Sequence, residues 1–308
     1  MSTFGNVLGG CVYKYSVMKC CLLIHKKSID NTAEGDNYDS LQFKYLAEET
    51  GWDGRVVSSC LDIPSGYDVL LGVGIRFWTG SEDREIRNYP LLRKAITVEF
   101  QDGYGNKKAI IADLCLYHVT RPGEVVDPSS KFRYVGVGVR DKYLYPEQNN
   151  QKPVAFLDHY HKRRHHMERS FALANALRKL GWKIYHLNQH GLVVDPVDIS
   201  YLPYRCVPHG DICSALRETH VFINTHAETQ GMTQIEAALC GAVVVGDTND
   251  LSPHVLYSLP FITLDQFDAK SKIDFVNNSI EAKKRYSFVS FARNIIDQIG
   301  QHLQQCRA

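Results

Sequence analysis

The feature that most constrains this chain is a repeated alternation of short, almost wholly apolar runs with longer segments of helical spacing. In the first half "CCLLI", "RVVSSCL", "YDVLLGVGI", "AITVEF", "LCLYHV" and "RYVGVGV" read as strands, and in the second half "VAFLDH", "KIYHLN", "HVFINT" and "AVVVGD" do. A strand that is apolar at nearly every position is buried on both faces, which is what a parallel sheet covered by helices demands. Helices are expected between them over 38–51, 81–94 and 106–114, over 167–181 closed by Gly181, and over 210–219 and 233–241. The stretch 281–305 is helical and polar on one face, and 28–38 is a polar loop. The fold class is therefore α/β.

With 308 residues, the chain is long enough for two domains of about 150 residues each. The polar, proline-bounded stretch "PEQNNQKP" at 146–153 is the best boundary, and beyond it the alternation restarts. This gives a half over 1–150, a second over 151–280, and a C-terminal helical piece over 281–308. Two doubly wound halves leave a cleft between them, and in such sheets ligands sit beyond the carboxyl ends of the strands.

Composition narrows the class. Hydrophobic residues make up 44% and charged residues 22%, which fits a globular chain. Lys plus Arg is 35 against 34 Asp plus Glu, so no global field favours a polyanion or a membrane surface. No run approaches the roughly 18–20 apolar residues of a spanning helix, and the N-terminus lacks a signal-peptide pattern. Residues 1–17 carry little pattern and read as a peripheral extension. The nine cysteines are scattered without a C-x-x-C pair, which fits reduced thiols and a cytoplasmic location.

The segment richest in chemistry is 221–246, "VFINTHAETQGMTQIEAALCGAVVVG". A strand runs into a polar loop with Gly231, and a helix opens at about Thr233. Backbone amides near Gly231 and Met232 then stand at a helix N-terminus, an anion site suited to a diphosphate. Glu228 and Glu236 flank the turn with seven residues between them. Each carboxylate can accept a pair of hydroxyl hydrogen bonds, one from a sugar and one from a ribose. A plainer reading stands beside this one: "TQIE" is also a capping box with Thr233 as N-cap, and Glu228 a solvated loop acid.

On these residues the segment resembles the E-x7-E signature of retaining GT-B-fold glycosyltransferases, family 4 in particular. Glu228, Gly231, Met232, Glu236, Ala237, Gly241 and Val244 stand at matching positions. Thr229 and Gln230 replace the usual Gly-Phe, and Val243 the usual Pro. The stretch "VGVGVRDKYLYP" is similar to the family's interdomain element, matching at Gly138, Val139, Leu144 and Pro146, with Val137 and Arg140 departing from it. "AITVEFQDG" resembles a strand ending in His-Asp, here Gln101-Asp102. The resemblance covers about 95–246 and implies a GT-B architecture of two Rossmann-type domains facing a central cleft. It implies an acceptor-side first domain, a nucleotide-sugar-binding second domain, and a 281–308 helix packing back toward the first.

The loop "DHYHKRRHHMER" (158–169) is the second signal. The resemblance implies that an Arg and a Lys here neutralise the donor diphosphate. Charge builds on the leaving nucleoside diphosphate as the glycosidic bond breaks, and it must be met. The alignment puts His159 at the Arg position and Arg164 at the Lys position, with Lys162 and Arg163 adjacent. A solvated basic helix start, a nucleic-acid patch and a His161/His165 metal site are the other readings; the last is opposed by the basic neighbours and the want of nearby carboxylate or Cys ligands. No Asp-x-Asp triplet, Walker loop or complete G-x-G-x-x-G occurs.

In the first half His25, Gly35 and Asp102 are the acceptor-side candidates, while His118 reads as a core residue of its strand. The function expected is transfer of a sugar from a nucleoside-diphosphate donor to an acceptor hydroxyl, with retention and with no metal or other cofactor. Glu228 and Arg164 are the catalytic pair; Lys162, Arg163, Gly231, Met232, Thr233 and Glu236 bind donor. The acceptor (glycan, lipid-linked sugar, small molecule or modified nucleic acid) is unknown. The competing class is a non-catalytic GT-B-like or nucleic-acid-associated binding protein.

Overall fold

The computed structural model describes residues 20–24, 55–57, 66–73, 96–103, 113–119, 132–136, 138–139, 141–147, 152–158, 167–188, 191–194, 207–225, 232–247 and 260–307. The helices expected over 38–51 and 81–94, the 28–38 loop and residues 1–17 lie outside the described residues; so does most of the helix expected over 106–114, whose last residue, Leu114, is instead the first of a strand, Leu114–Val119.

Two six-stranded sheets organise the chain. The first is built from β1 (Cys20–Ile24), β2 (Arg55–Val57), β3 (Val69–Val73), β4 (Ile96–Gly103), β5 (Leu114–Val119) and β6 (Phe132–Tyr134) in the order β2-β1-β3-β4-β5-β6. Every pairing in it is parallel. The second contains β7 (Val154–Asp158), β8 (Lys183–Asn188), β9 (Gly191–Val194), β10 (Val221–Ile223), β11 (Val243–Gly246) and β12 (Phe261–Thr263), ordered β12-β11-β10-β7-β8-β9. The described helices are α1 (Met167–Lys179), α2 (His209–Glu218), α3 (Met232–Leu239), α4 (Phe275–Tyr286) and α5 (Phe288–Arg307).

The buried-run argument accounts for the second sheet. All five residues of β7 are buried, as are all of β10 and β11. Alternate side chains serve opposite faces. Ala155, Leu157, Val221, Ile223, Val243 and Val245 pack with Phe171, Ala174 and Leu177 of α1. Phe156, Phe222 and Val244 face the other way, toward α2, α3 and α4. Phe156 and Phe222 stack across neighbouring strands with centroids 5.5 Å apart. Burying side chains of this size stabilises by about 1.5–3 kcal/mol each.

One departure from the all-parallel expectation is β9, which pairs antiparallel with β8 in the register Asn188↔Gly191. Only two residues separate the strands, too few for a parallel crossover. The single C-terminal helix expected over 281–308 is two helices, α4 and α5, divided at Ser287. Ser287 is extended and forms a parallel bridge with Val139. Its N–H bonds the Lys283 carbonyl while its Oγ accepts from the Ser290 N–H at 3.2 Å. One residue thus caps the end of α4 and the start of α5.

α5 then packs on the first sheet. Phe288, Phe291, Ala292, Ile295 and Ile299 recur at helical spacing and meet Val69, Leu71, Val98, Leu114, Leu116 and Val135. Asn294 Nδ2 donates to the Val135 carbonyl at 2.8 Å. The outgoing passage (135–147) and the returning one meet side by side: the Val139 N–H bonds the Tyr286 carbonyl at 2.8 Å. Gly138 makes this approach possible, since a Cβ there would lie 2.2 Å from Phe291 Cβ. Gly138→Ala is expected to destabilise the protein by about 1–3 kcal/mol through overpacking. Chemical denaturation checks this, and an unchanged midpoint contradicts it.

Candidate functional site

Strand order reverses once in each sheet, between β1 and β3 in the first and between β7 and β10 in the second. In the second sheet α1 and α3 follow the two strands on opposite faces and open a crevice at the carboxyl ends of the strands. Apolar strands must end at that edge, and in the second sheet they end in buried polar residues. Asp158 closes β7, Asn224 and Thr225 follow β10, Gln234 stands in the first turn of α3, and Ser170 in the first turn of α1. All are at most 2% exposed.

These groups stitch the strand ends together. Thr225 Oγ1 donates to the Asp158 carbonyl. Ser170 Oγ donates to the Asn224 carbonyl at 2.7 Å, and Gln234 Nε2 donates to Asn224 Oδ1 at 2.9 Å. The Asn224 N–H continues the ladder to the Val245 carbonyl at 2.8 Å. Polar groups buried at the end of a ladder need such partners. None of the four residues Asp158, Asn224, Thr225 and Gln234 was nominated from sequence. Their signal was present in "VAFLD" and "VFINT", where a run of apolar residues turns polar at its last positions.

α3 opens on this crevice. Its Ile235, Ala237, Ala238 and Leu239 are fully buried, and Glu236, its single charged residue, is only 4% exposed. Burial pushes the Cys240 thiol up, with the Glu236 carboxylate and Cys213 adding to the rise. The helix begins at Met232, one residue before the expected start. Thr233 therefore sits within the first turn, beside the Gln234 that bonds Asn224.

Of the other predicted site residues, Asp102 is the penultimate residue of β4, at the carboxyl edge of the first sheet. His118 lies in β5 and Met232 in α3. Leu144, from the interdomain resemblance, is buried in the second-sheet core, with Val139 beside it. His25, Gly35, His159, Lys162, Arg163, Arg164, Glu228 and Gly231 lie outside the described residues. His25 directly follows β1, one of the two strands at the first sheet's reversal point. Arg169, at the end of the basic loop, is held by Asp265 and by Asp247 at 3.6 Å, carboxylates beyond the ends of β12 and β11. Among the described residues no group of three or more His, Cys, Asp or Glu is arranged to hold a metal, and no helix is long and apolar enough to cross a membrane.

A cavity of about 430 Å³ lies at the opposite edge of the second sheet, beside the amino ends of β7 and β10, lined by Glu147, Arg217, His220, Lys272, Asp274 and Phe275 among others. Its Arg217 is committed to Glu147 at 3.2 Å and to Ser214 at 3.1 Å. His220 Nδ1 lies 3.2 Å from the Val154 amide nitrogen and 3.1 Å from the Glu218 carbonyl oxygen. The ring packs edge-on against Phe275 and Trp182. This cavity is remote from the crevice and takes no part in it.

No protein-family model matches the chain, and no curated protein matches it in sequence. Solved structures do match in shape. A glycosyltransferase involved in avilamycin A biosynthesis, AviGT4, aligns at 10% identity over 93% of this chain and 98% of its own, with a TM-score of 0.56. The Anabaena protein HepE, solved with UDP and glucose, aligns at 11% identity over 92% and 100%, TM-score 0.54. A candidate UDP-N-acetylglucosamine 2-epimerase from Listeria monocytogenes aligns at 13% identity over 94% and 97%, TM-score 0.53. At these identities the likeness shows the fold: a GT-B-like pair of Rossmann-type units facing a central cleft.

His220 makes stability depend on pH. Burial lowers its affinity for a proton below the ordinary value near 6.5, outweighing the Glu218 carbonyl that favours the charged ring. Burial lowers His302 in the same direction. The unfolded chain then binds protons that the folded chain refuses, so stability is present above about pH 6.5 and is lost as pH falls through the folded-state values. Melting temperatures between pH 7.5 and 5 are expected to fall, and to fall less in His220→Gln. Equal slopes in both proteins would contradict the assignment to His220.

Proposed function

We propose that this protein is a glycosyltransferase that moves a sugar from a nucleoside-diphosphate donor to an acceptor hydroxyl. The observation that carries the reading is the buried Glu236 in the first turns of a helix that opens on the β7/β10 crevice. A helix start beside a carboxylate, at the carboxyl ends of reversing strands, is fitted to a nucleoside diphosphate: amides to phosphate, carboxylate to ribose hydroxyls.

In this reading Glu236 takes the ribose diol and Glu228 the hydroxyls of the transferred sugar. The amides at Gly231 and Met232, with Thr233 beside them, cradle the diphosphate. Lys162, Arg163 and Arg164 meet the negative charge that grows on the departing diphosphate. No metal is needed if these cations suffice, and the departing phosphate assists the incoming hydroxyl, so the anomeric configuration is retained. The acceptor enters from the first unit, where His25, Gly35 and Asp102 are the candidates. The resemblance of 221–246 to family 4 supports retention. The likeness to AviGT4 supports transfer of a sugar, and that to HepE, solved with UDP and glucose, supports the donor class.

One observation favours a second reaction on the same donor site. The similar structures include a candidate epimerase as well as transferases, so the sugar nucleotide itself is to be followed alongside any acceptor product. Thermal shift across UDP-, GDP-, CDP-, ADP- and dTDP-sugars, with and without EDTA, is the test. Ligand at 100 times its Kd stabilises the folded state by about 2.7 kcal/mol. One nucleotide class is expected to raise the melting temperature equally with EDTA, and Glu236→Ala to lose the rise. Glu228→Ala and Arg164→Ala are expected to fold normally and to lose transfer by about 100-fold or more. Wild-type turnover in both variants would overturn the site assignment. If no donor shifts the protein, the binding-protein reading takes over, and nucleic acid at varied salt becomes the assay.

A further inference from the structure

Between the end of β10 and the start of α3, two side-chain amides are buried face to face. Asn224 and Gln234 are each 1% exposed, and their bond is 2.9 Å long. Around them α3 is packed with Ile235, Ala237, Ala238 and Leu239. An apolar pair would have sealed this spot at no desolvation cost, whereas burying an amide costs about 1–3 kcal/mol for each hydrogen bond left unmade. That cost is not fully recovered here. Gln234 Oε1 is buried without a hydrogen-bond partner among the described residues. The amide pair is thus a poor solution for stability alone.

Its geometry suggests what it is for. Asn224 is held at its backbone: its N–H donates to the Val245 carbonyl at 2.8 Å, and its carbonyl accepts from Ser170 Oγ at 2.7 Å. Asn224 is therefore a rigid post at the centre of the crevice floor, joined to β11 and to α1. Gln234 is a directional tie from the first turn of α3 to that post. A hydrogen bond between planar amides fixes distance and angle, which apolar packing does not.

We propose that Gln234 and Asn224 are positioning residues: their side-chain bond sets the start of α3 against the end of β10, and through it the placement of the Met232 amide and of Glu236 at the crevice. The inference rests on the reading under Proposed function for its consequence in binding, but the tie itself is a property of the ligand-free protein. Neither residue needs to touch substrate.

The test uses the full chain and the double variant Asn224→Leu/Gln234→Met, which keeps approximate shape and removes both amides, together with Gln234→Met alone. Replacing both partners of a buried hydrogen bond by apolar groups of similar shape is near neutral for stability, so the double variant is expected to melt at or above the wild-type temperature. Amide hydrogen exchange in the ligand-free protein is expected to accelerate at least tenfold over 232–236 and to stay unchanged in β7 and β10. In calorimetry the donor nucleotide identified by the thermal screen, with UDP as first probe, is expected to bind at least tenfold more weakly. Wild-type exchange over 232–236 in both variants overturns the proposal. So does acceleration spread through the whole second sheet, which marks a merely structural pair. If wild-type protein binds none of the nucleotides, the transferase reading fails, and the exchange result alone decides whether the tie exists.

Discussion

The arrangement of the two sheets depends on one short contact, where the chain leaves the first sheet and where it comes back. Val139 donates to the Tyr286 carbonyl and bridges to Ser287, and the bare backbone of Gly138 lets Phe291 close over it. With two passages bonded side by side, the connection is a two-stranded strap rather than a single tether. A single tether leaves two units free to turn about it, whereas paired strands resist twisting and leave bending as the easier motion. Residues 135–147 continue into the second-sheet core through the buried Leu144, so the strap is anchored at its far end too.

Most of the framework was legible because it follows from burial. Runs such as "VAFL" and "VFI" show no polar position along their length, and a run buried on both faces has few homes other than the middle of a parallel sheet. The helix at 167–179 was equally plain from its spacing. What escaped was set by contacts distant in sequence. β9 is antiparallel because a two-residue link allows nothing else, a fact of chain geometry that its composition does not express. The break at Ser287 comes from pairing with Val139, almost 150 residues earlier. Helical periodicity runs straight across it.

The candidate site divides in the same way. Glu236 was readable because a carboxylate within "IEAALCG" stands out against its apolar neighbours. Asn224 and Gln234 were not, since each is unremarkable alone and acquires meaning only when the fold sets them face to face. The helix start was readable to within one residue, since α3 opens at Met232.

The packing of α5 has a consequence for synthesis. The apolar face of the first sheet, including Val69, Leu71, Val98 and Leu116, is covered by residues 288–307, made after the entire second sheet. While a ribosome is still translating the second unit, the helix that packs on that face has yet to be made. The N-terminal unit therefore completes this part of its core last although it is made first, the reverse of the usual vectorial order. Damage near residue 295 would accordingly be felt in strands laid down some 200 residues upstream, and a stalled or shortened product would fail in its earlier half.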